Sequence, residues 1–151
     1  MRNATLCIVR SGDKILLGMK KKGFGAGKYN GFGGKVEPNE TVEQGALREL
    51  REESGLVAND AKKLAELTFK FPHKEEWNQV VHVYVTHSWA GVPVESDEMK
   101  PEWFDLTRIP YQQMWIDDEH WLPHVLAGKF VTATFVFSQN ESILEKDVVV
   151  K

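Results

Sequence analysis

Short apolar blocks, separated by glycine and charged residues, run through most of this chain. Residues 4–9 and 14–19 are rich in Ile, Leu and Val and flank Ser11-Gly12-Asp13, a pattern that predicts two strands joined by a turn. Residues 62–71 and 79–87 alternate apolar and polar positions, as strands with one buried face do. Residues 129–137 alternate cleanly, and 143–150 are placed to pair back across Ser138–Glu141. Trp103 to Leu106 reads as a short strand after a loop at 91–101. The period changes strongly between Val42 and Ser54, where Val42, Ala46, Leu47 and Leu50 fall on one helical face. Thr41 stands where an N-cap belongs and Gly55 where a left-handed C-cap belongs. A second helical stretch, 117–128, contains Pro123, so a helix interrupted there or beginning after it is expected. Strands on both sides of one strong helix predict an α/β layered domain with a mixed sheet. The 151 residues suit one domain, 1–151.

Composition narrows the function classes. A balance of 42% hydrophobic and 27% charged residues is that of a globular protein with a real core. The 19 basic and 22 acidic side chains leave a net charge of −3, which argues against a nucleic-acid polymer as partner. Cys7 is the single cysteine, so no internal disulfide forms and a reducing, cytoplasmic setting is expected. The apolar run Thr5 to Val9 is too short for a signal sequence or a membrane span. A monomer with no membrane partner is expected.

One segment departs from this ordinary picture. GKVEPNETVEQGALRELREESGL (34–56) carries Glu37, Glu40, Glu43, Glu49, Glu52 and Glu53. On a helix, Glu49, Glu52 and Glu53 project together within about 100° of arc, where like charges repel. Arg48 and Arg51 flank that face and can orient and partly neutralise the carboxylates. Gly45, a poor helix former in the middle of the segment, points to a close approach. Just before it lies KKKGFGAGKYNGFGGK (20–35), loop-like, with Tyr29 to Phe32 as a candidate short strand. A solvated acidic face with ion pairs is the commoner meaning of such a helix. A carboxylate trio beside a glycine-rich, lysine-bearing loop also suits Mg²⁺, which binds through carboxylates and substrate phosphates.

Gly34, Glu40, Arg48-Glu49-Leu50, Glu52-Glu53 and Gly55-Leu56 resemble the box of the Nudix hydrolases, G-x5-E-x7-R-E-U-x-E-E-x-G-U with U aliphatic, at every specified position. The resemblance implies a Nudix fold, an α/β/α sandwich whose loop–helix–loop binds divalent cations and cleaves a nucleoside diphosphate linked to another group. It implies Glu49, Glu52 and Glu53 as ligands of Mg²⁺ or Mn²⁺, with the Gly33 carbonyl and Glu98 as further donors. Arg48 is implied to orient a carboxylate and Glu40 to support the loop. An activated water attacks phosphorus in this family. Glu53 is the first candidate to take its proton and Glu98, on the Glu95 to Met99 loop, the second.

The stretches LLGMKKKGFGAGKYNGFGGKV (16–36), PVESDEM (93–99), WF (103–104), IP (109–110) and MWIDD (114–118) are similar to the branch that hydrolyses the oxidised purine nucleotides 8-oxo-dGTP and 2-hydroxy-dATP. That similarity implies that Asn30 bonds the purine, that Asp117 and Asp118 meet its Watson–Crick edge, and that Trp115 stacks on it. Phe24, Phe69, Phe71 and Met99 are implied to line the pocket, and Thr5 and Lys20 to sit at its mouth. Phe32, Gly33, Gly34 and Lys35 are implied to lie along sugar and phosphates. Taken singly, these residues have plainer meanings: Asp117 and Asp118 could cap a helix, and the aromatics could be core. The branch has Trp where Tyr29 stands and Pro where Ile116 stands, and 72–81 is its poorest match. His82, His87, His120 and His124 show no metal-ligand spacing. Two other functions fit the box: hydrolysis of a different nucleoside diphosphate-linked substrate, and nucleotide binding without hydrolysis.

Overall fold

A computed structural model describes residues 1–151. Its strands are Arg2–Ser11 (β1), Lys14–Lys20 (β2), Tyr29–Asn30 (β3), Val57–Ala58 (β4), Lys62–Lys70 (β5), Gln79–Thr86 (β6), Trp89–Ala90 (β7), Met99–Asp105 (β8), Val131–Phe137 (β9) and Ile143–Val150 (β10). The helices are Val42–Ser54 (α1) and Asp118–Leu126 (α2). Seven strands follow the order β10-β9-β5-β6-β1-β2-β3, and β8 joins the same sheet by pairing with β2. The β1–β6 and β5–β9 pairs are parallel and the rest antiparallel, so the sheet is mixed as expected. The two-residue strands β4 and β7 pair with each other apart from the main sheet; two residues are too few to show a period in sequence.

Strand alternation sorts the side chains into two layers. Leu6 and Ile8 of β1, Val81 and Val83 of β6, and Ala133 and Phe135 of β9 pack on one face with Trp121, Leu122 and Val125 of α2. Cys7 and Val9 of β1 and Tyr84 of β6 pack on the other with Ala46 and Leu50 of α1. A helix on each face gives the α/β/α arrangement. Helix α1 begins with a reciprocal cap: Gln44 N–H donates to the Thr41 hydroxyl, and Thr41 N–H to the Gln44 side chain. Such a cap contributes about 1 kcal/mol. It ends at Gly55, whose φ of 79° is left-handed and whose N–H donates to the Arg51 carbonyl.

Two expectations need correction. Helix α2 is neither broken at Pro123 nor delayed beyond it; it runs through. The carbonyl deprived of a partner four residues earlier belongs to Glu119, an exposed residue, and burial of Trp121, Leu122 and Val125 holds the helix down. Strand β8 starts at Met99, inside the expected loop, and pairs with β2 along its length. Its Pro101 is tolerated because β8 is an edge strand, where a missing N–H faces away from the ladder.

The feature that positions the site is a split beside β1. The end of β1 pairs with β2 at Val9 and Leu16, while its beginning pairs with residues 32–36. Cys7 and Phe32 exchange both backbone bonds, Thr5 N–H donates to the Gly34 carbonyl at 2.8 Å, and Val36 N–H to the Asn3 carbonyl at 3.1 Å. The glycine-rich segment is thereby laid between the two layers.

Candidate active site

Glu40, in the loop before α1, and Glu49 and Glu52 of α1 gather around Arg48. Its guanidinium donates to both Glu40 oxygens at 3.0 and 2.8 Å, to Glu49 at 2.9 Å, to Glu52 at 3.2 Å and to the Lys35 carbonyl at 3.1 Å. Glu40 also accepts the Glu37 N–H at 2.8 Å, so it supports the loop as the resemblance implied. These bonds hold the Glu40 carboxyl below its usual range, Arg48 first. A side chain at Gly45 would come within 2.9 Å of Glu40 Oε1, which is the close approach its glycine signalled.

Glu53 lies apart from the arginine. It is 6% exposed and accepts the Gly33 N–H at 2.8 Å. Burial pushes its carboxyl up to about 7, against the pull of that bond, and the charges of Glu49 and Glu98 push the same way. Glu49 is also raised, by burial first, despite Arg48. Two glycines make this proximity possible. A Cβ on Gly33 would sit 1.8 Å from the Thr5 carbonyl oxygen, and one on Gly34 would sit 2.6 Å from the Glu49 carboxyl carbon.

A cavity of about 690 Å³ opens beside this helix, and Glu53, Gly33, Gly34, Lys35, Lys20 and Thr5 line its end. Asn30, Phe24, Phe69, Phe71, Met99, Trp115, Asp117 and Asp118 line the rest, so the structure brings these expected residues into one space. The Asn30 side-chain oxygen accepts the Gly31 N–H at 2.9 Å. Phe24 stacks on Trp115 with ring centroids 5.0 Å apart. Asp117 and Asp118 are each 4% exposed. Asp117 makes no cap bond although it occupies the N-cap position of α2; its Oδ2 accepts instead from Trp121 Nε1 at 2.8 Å. Asp118 Oδ2 is buried without a partner. Burial raises the Asp118 carboxyl well above its usual range, and the neighbouring Asp117 carboxylate raises it further. Asp117 is raised too, by burial first, against the Trp121 bond.

Phe32 is a correction: its side chain is fully buried in the core beneath α1 and does not reach the cavity. Its pairing with Cys7 sends the ring to the α1 face. Other lining residues escaped the sequence reading: Arg2, His73, Trp77, Gln79, Trp121, Phe137 and the turn Ser138 to Glu141. Phe137 had a signal, since it shares the alternating face of Phe135. The others had none, because their neighbours across the cavity are distant in the chain.

The profile of the NUDIX domain matches residues 1–125. The chain belongs to the Nudix family. It is 48% identical to an oxidized purine nucleoside triphosphate hydrolase of Danio rerio over 141 residues, covering 93% of this chain and 90% of that protein. It is 45% identical to the protein of the same name from Mus musculus, covering 93% and 89%. A MutT protein from Bacillus halodurans shares the fold with a TM-score of 0.88, at 23% identity over 98% of this chain and 97% of that one.

Nudix hydrolases generally use divalent metals, and the donor chemistry here fits one. Glu49, Glu52 and Glu53 offer hard oxygens, two of them buried enough to be raised, which a cation would relieve. As placed, no three acidic or imidazole side chains converge on one point. Glu49 and Glu52 each commit an oxygen to Arg48 and keep the other free. No helix is long and apolar enough to cross a membrane.

Proposed function

We propose that this Nudix protein hydrolyses oxidised purine nucleoside triphosphates, 8-oxo-dGTP and 2-hydroxy-dATP among them, to monophosphate and pyrophosphate. One observation carries the reading: a buried aspartate pair in an aromatic cavity whose other end reaches Glu53. Trp115 offers a face on which a stacked purine gains about 1–3 kcal/mol. Two adjacent buried carboxyls do not both ionise at neutral pH, and Asp118 is the one raised further. Protonated Asp118 donates to a purine carbonyl, while Asp117 accepts from an amino group. Moving that proton within the pair exchanges donor and acceptor, so one pocket reads two differently oxidised purines.

At the other end the chain handles the polyphosphate. Glu53, buried and fixed by the Gly33 N–H, is the first candidate to take the proton of the attacking water; Glu98 is the second. The oxygen forms its bond to phosphorus as the bond to the pyrophosphate leaving group breaks. Arg48 holds Glu49 and Glu52 in place, and Lys20 supplies positive charge beside Glu53. Glu49, Glu52 and Glu53, with Glu98 and the Gly33 carbonyl, would hold Mg²⁺, or Mn²⁺ in its place; when bound, it stabilises charge on the phosphoryl oxygens. Gly34 and Lys35 run along the sugar and phosphates.

The test is kcat/KM across modified and unmodified nucleoside triphosphates, read as pyrophosphate release with Mg²⁺ and again with a chelator. Preference for the oxidised purines and loss of turnover with the chelator are expected. A flat profile, or best activity on a nucleotide sugar, overturns the substrate; tight binding without pyrophosphate release makes the chain a binding module.

A further inference from the structure

The turn joining β5 to β6, within the segment 72–81 that matches the branch least and falls where the branch places part of its base pocket, builds a second aromatic wall. Trp77 lines the cavity. Its indole stands at 88° to Phe71, with centroids 5.8 Å apart, while Phe71 lies nearly parallel to Phe137 at 15° and 5.6 Å. Phe71 and Phe137 therefore form a floor, and Trp77 rises from it at a right angle. Phe24 bridges the space above. Its ring centroid lies 5.0 Å from that of Trp115 and 5.6 Å from that of Trp77, yet it is 63% exposed. A ring so exposed gives up its place to a ligand at small cost.

Trp77 is held for contact and not merely left near the opening. The Lys74 ammonium lies 4.4 Å over its ring, and the Trp77 N–H donates to the Lys74 carbonyl at 3.0 Å. The turn closes on itself where the Asn78 side chain accepts the Phe71 N–H at 2.7 Å. An indole carried on this closed turn and packed edge-on against Phe71 and His73 loses little freedom on meeting a flat ligand.

We infer that Trp77 contacts the bound purine from the side opposite Trp115 and sets which purines the cavity accepts. The inference rests on the purine nucleotide reading of the cavity. Stacking of this kind is lost on truncation by about tenfold or more in affinity.

The experiment titrates the product 8-oxo-dGMP, which is not hydrolysed further and needs no metal, into the parent, Trp77→Ala and Trp77→Phe. Calorimetry is expected to show about tenfold weaker binding in Trp77→Ala, with most of it recovered in Trp77→Phe. The ratio of kcat/KM for 8-oxo-dGTP over 2-hydroxy-dATP is expected to move by about threefold or more in Trp77→Ala. A purely structural role would lower both substrates alike and leave that ratio still. Affinity and ratio within about twofold of the parent in both variants, while the parent binds, overturn the inference alone. A parent that binds no purine monophosphate overturns the reading of the cavity and the inference with it. Should Trp77→Ala fail to fold, fluorotryptophan labelling of the parent decides: the Trp77 resonance shifts on adding 8-oxo-dGMP, and an unmoved resonance overturns the inference.

Discussion

The acidic end and the aromatic end of the cavity solve different problems by different means. The acidic end is local. Gly33, Lys35, Glu40, Arg48, Glu49, Glu52 and Glu53 lie within 21 consecutive residues, and backbone N–H groups and one arginine arrange nearly all of its charge. The aromatic end is assembled. Phe24 comes from a loop after β2, Phe71 and Trp77 from the β5–β6 connection, and Trp115 with the aspartates from the approach to α2. In the first, Arg48 compensates Glu40, Glu49 and Glu52 but burial leaves Glu53 raised; in the second, Asp118 Oδ2 is buried without a partner. The lesson is that chemistry common to a whole family sits in a contiguous segment, while recognition of one substrate class is spread over loops that the sheet brings together.

The sharpest way to break this comparison is to disable one end and keep the other. Glu53→Gln is expected to lower kcat for pyrophosphate release by about 10²–10⁴-fold while 8-oxo-dGMP binding stays near the parent value. Loss of both together would show that the two ends are not separable. Gly33→Ala comes next. Its methyl meets the Thr5 carbonyl at 1.8 Å, so the strand must shift, at a cost of about 3 kcal/mol in urea unfolding.

Asp118→Asn acts at the other end. Removing the proton that the pair shares is expected to lower kcat/KM for 8-oxo-dGTP by about 30-fold, equivalent to about 2 kcal/mol. Its stability effect has the opposite sign. The folded pKa of Asp118 is raised above its ordinary value of 3.8, so the unfolded chain releases this proton first. Stability contributed by the neutral carboxyl is full below 3.8 and is lost as pH rises towards the folded pKa. The asparagine variant therefore has a thermal midpoint close to the parent's in acid and higher than the parent's at neutral pH. Equal midpoints at both pH values would mean that the aspartate is not buried in the way the structure places it. The smallest effect is expected far from either end: breaking the exposed Lys14–Asp105 ion pair, 3.3 Å long, with Lys14→Ala should change stability by less than about 0.5 kcal/mol and kcat/KM hardly at all.

Legibility follows the same division. Helix α1 was readable to its caps because Thr41, the 3.6-residue apolar stripe and Gly55 are all local signals. Strands with one buried face were readable from alternation, whereas the start of β8 was hidden by Pro101, whose tolerance depends on β8 being an edge strand. Helix α2 was hidden by Pro123, whose cost the packing of Trp121, Leu122 and Val125 offsets. At the site, the structure gathers Thr5, Lys20, Asn30, Gly33, Glu53, Trp115 and the two aspartates in one cavity, whereas Glu49, Glu52 and Glu98 do not line it and Phe32 lies in the core. Its neighbours in sequence suggested the phosphate path, and the register against Cys7 turned its ring the other way. Trp77 carried no pattern because its segment departs from the branch.

Periodicity, capping residues and the spacing of glutamates are properties of neighbours along the chain, so the order of residues was enough to determine the mixed α/β frame, helix α1 and its acidic face. Pairing register, edge position and the filling of a cavity depend on residues dozens of positions apart meeting in space. Only the tertiary structure could decide that the Gly33 N–H meets Glu53, that Phe32 turns into the core, and that Phe24 packs near both Trp77 and Trp115.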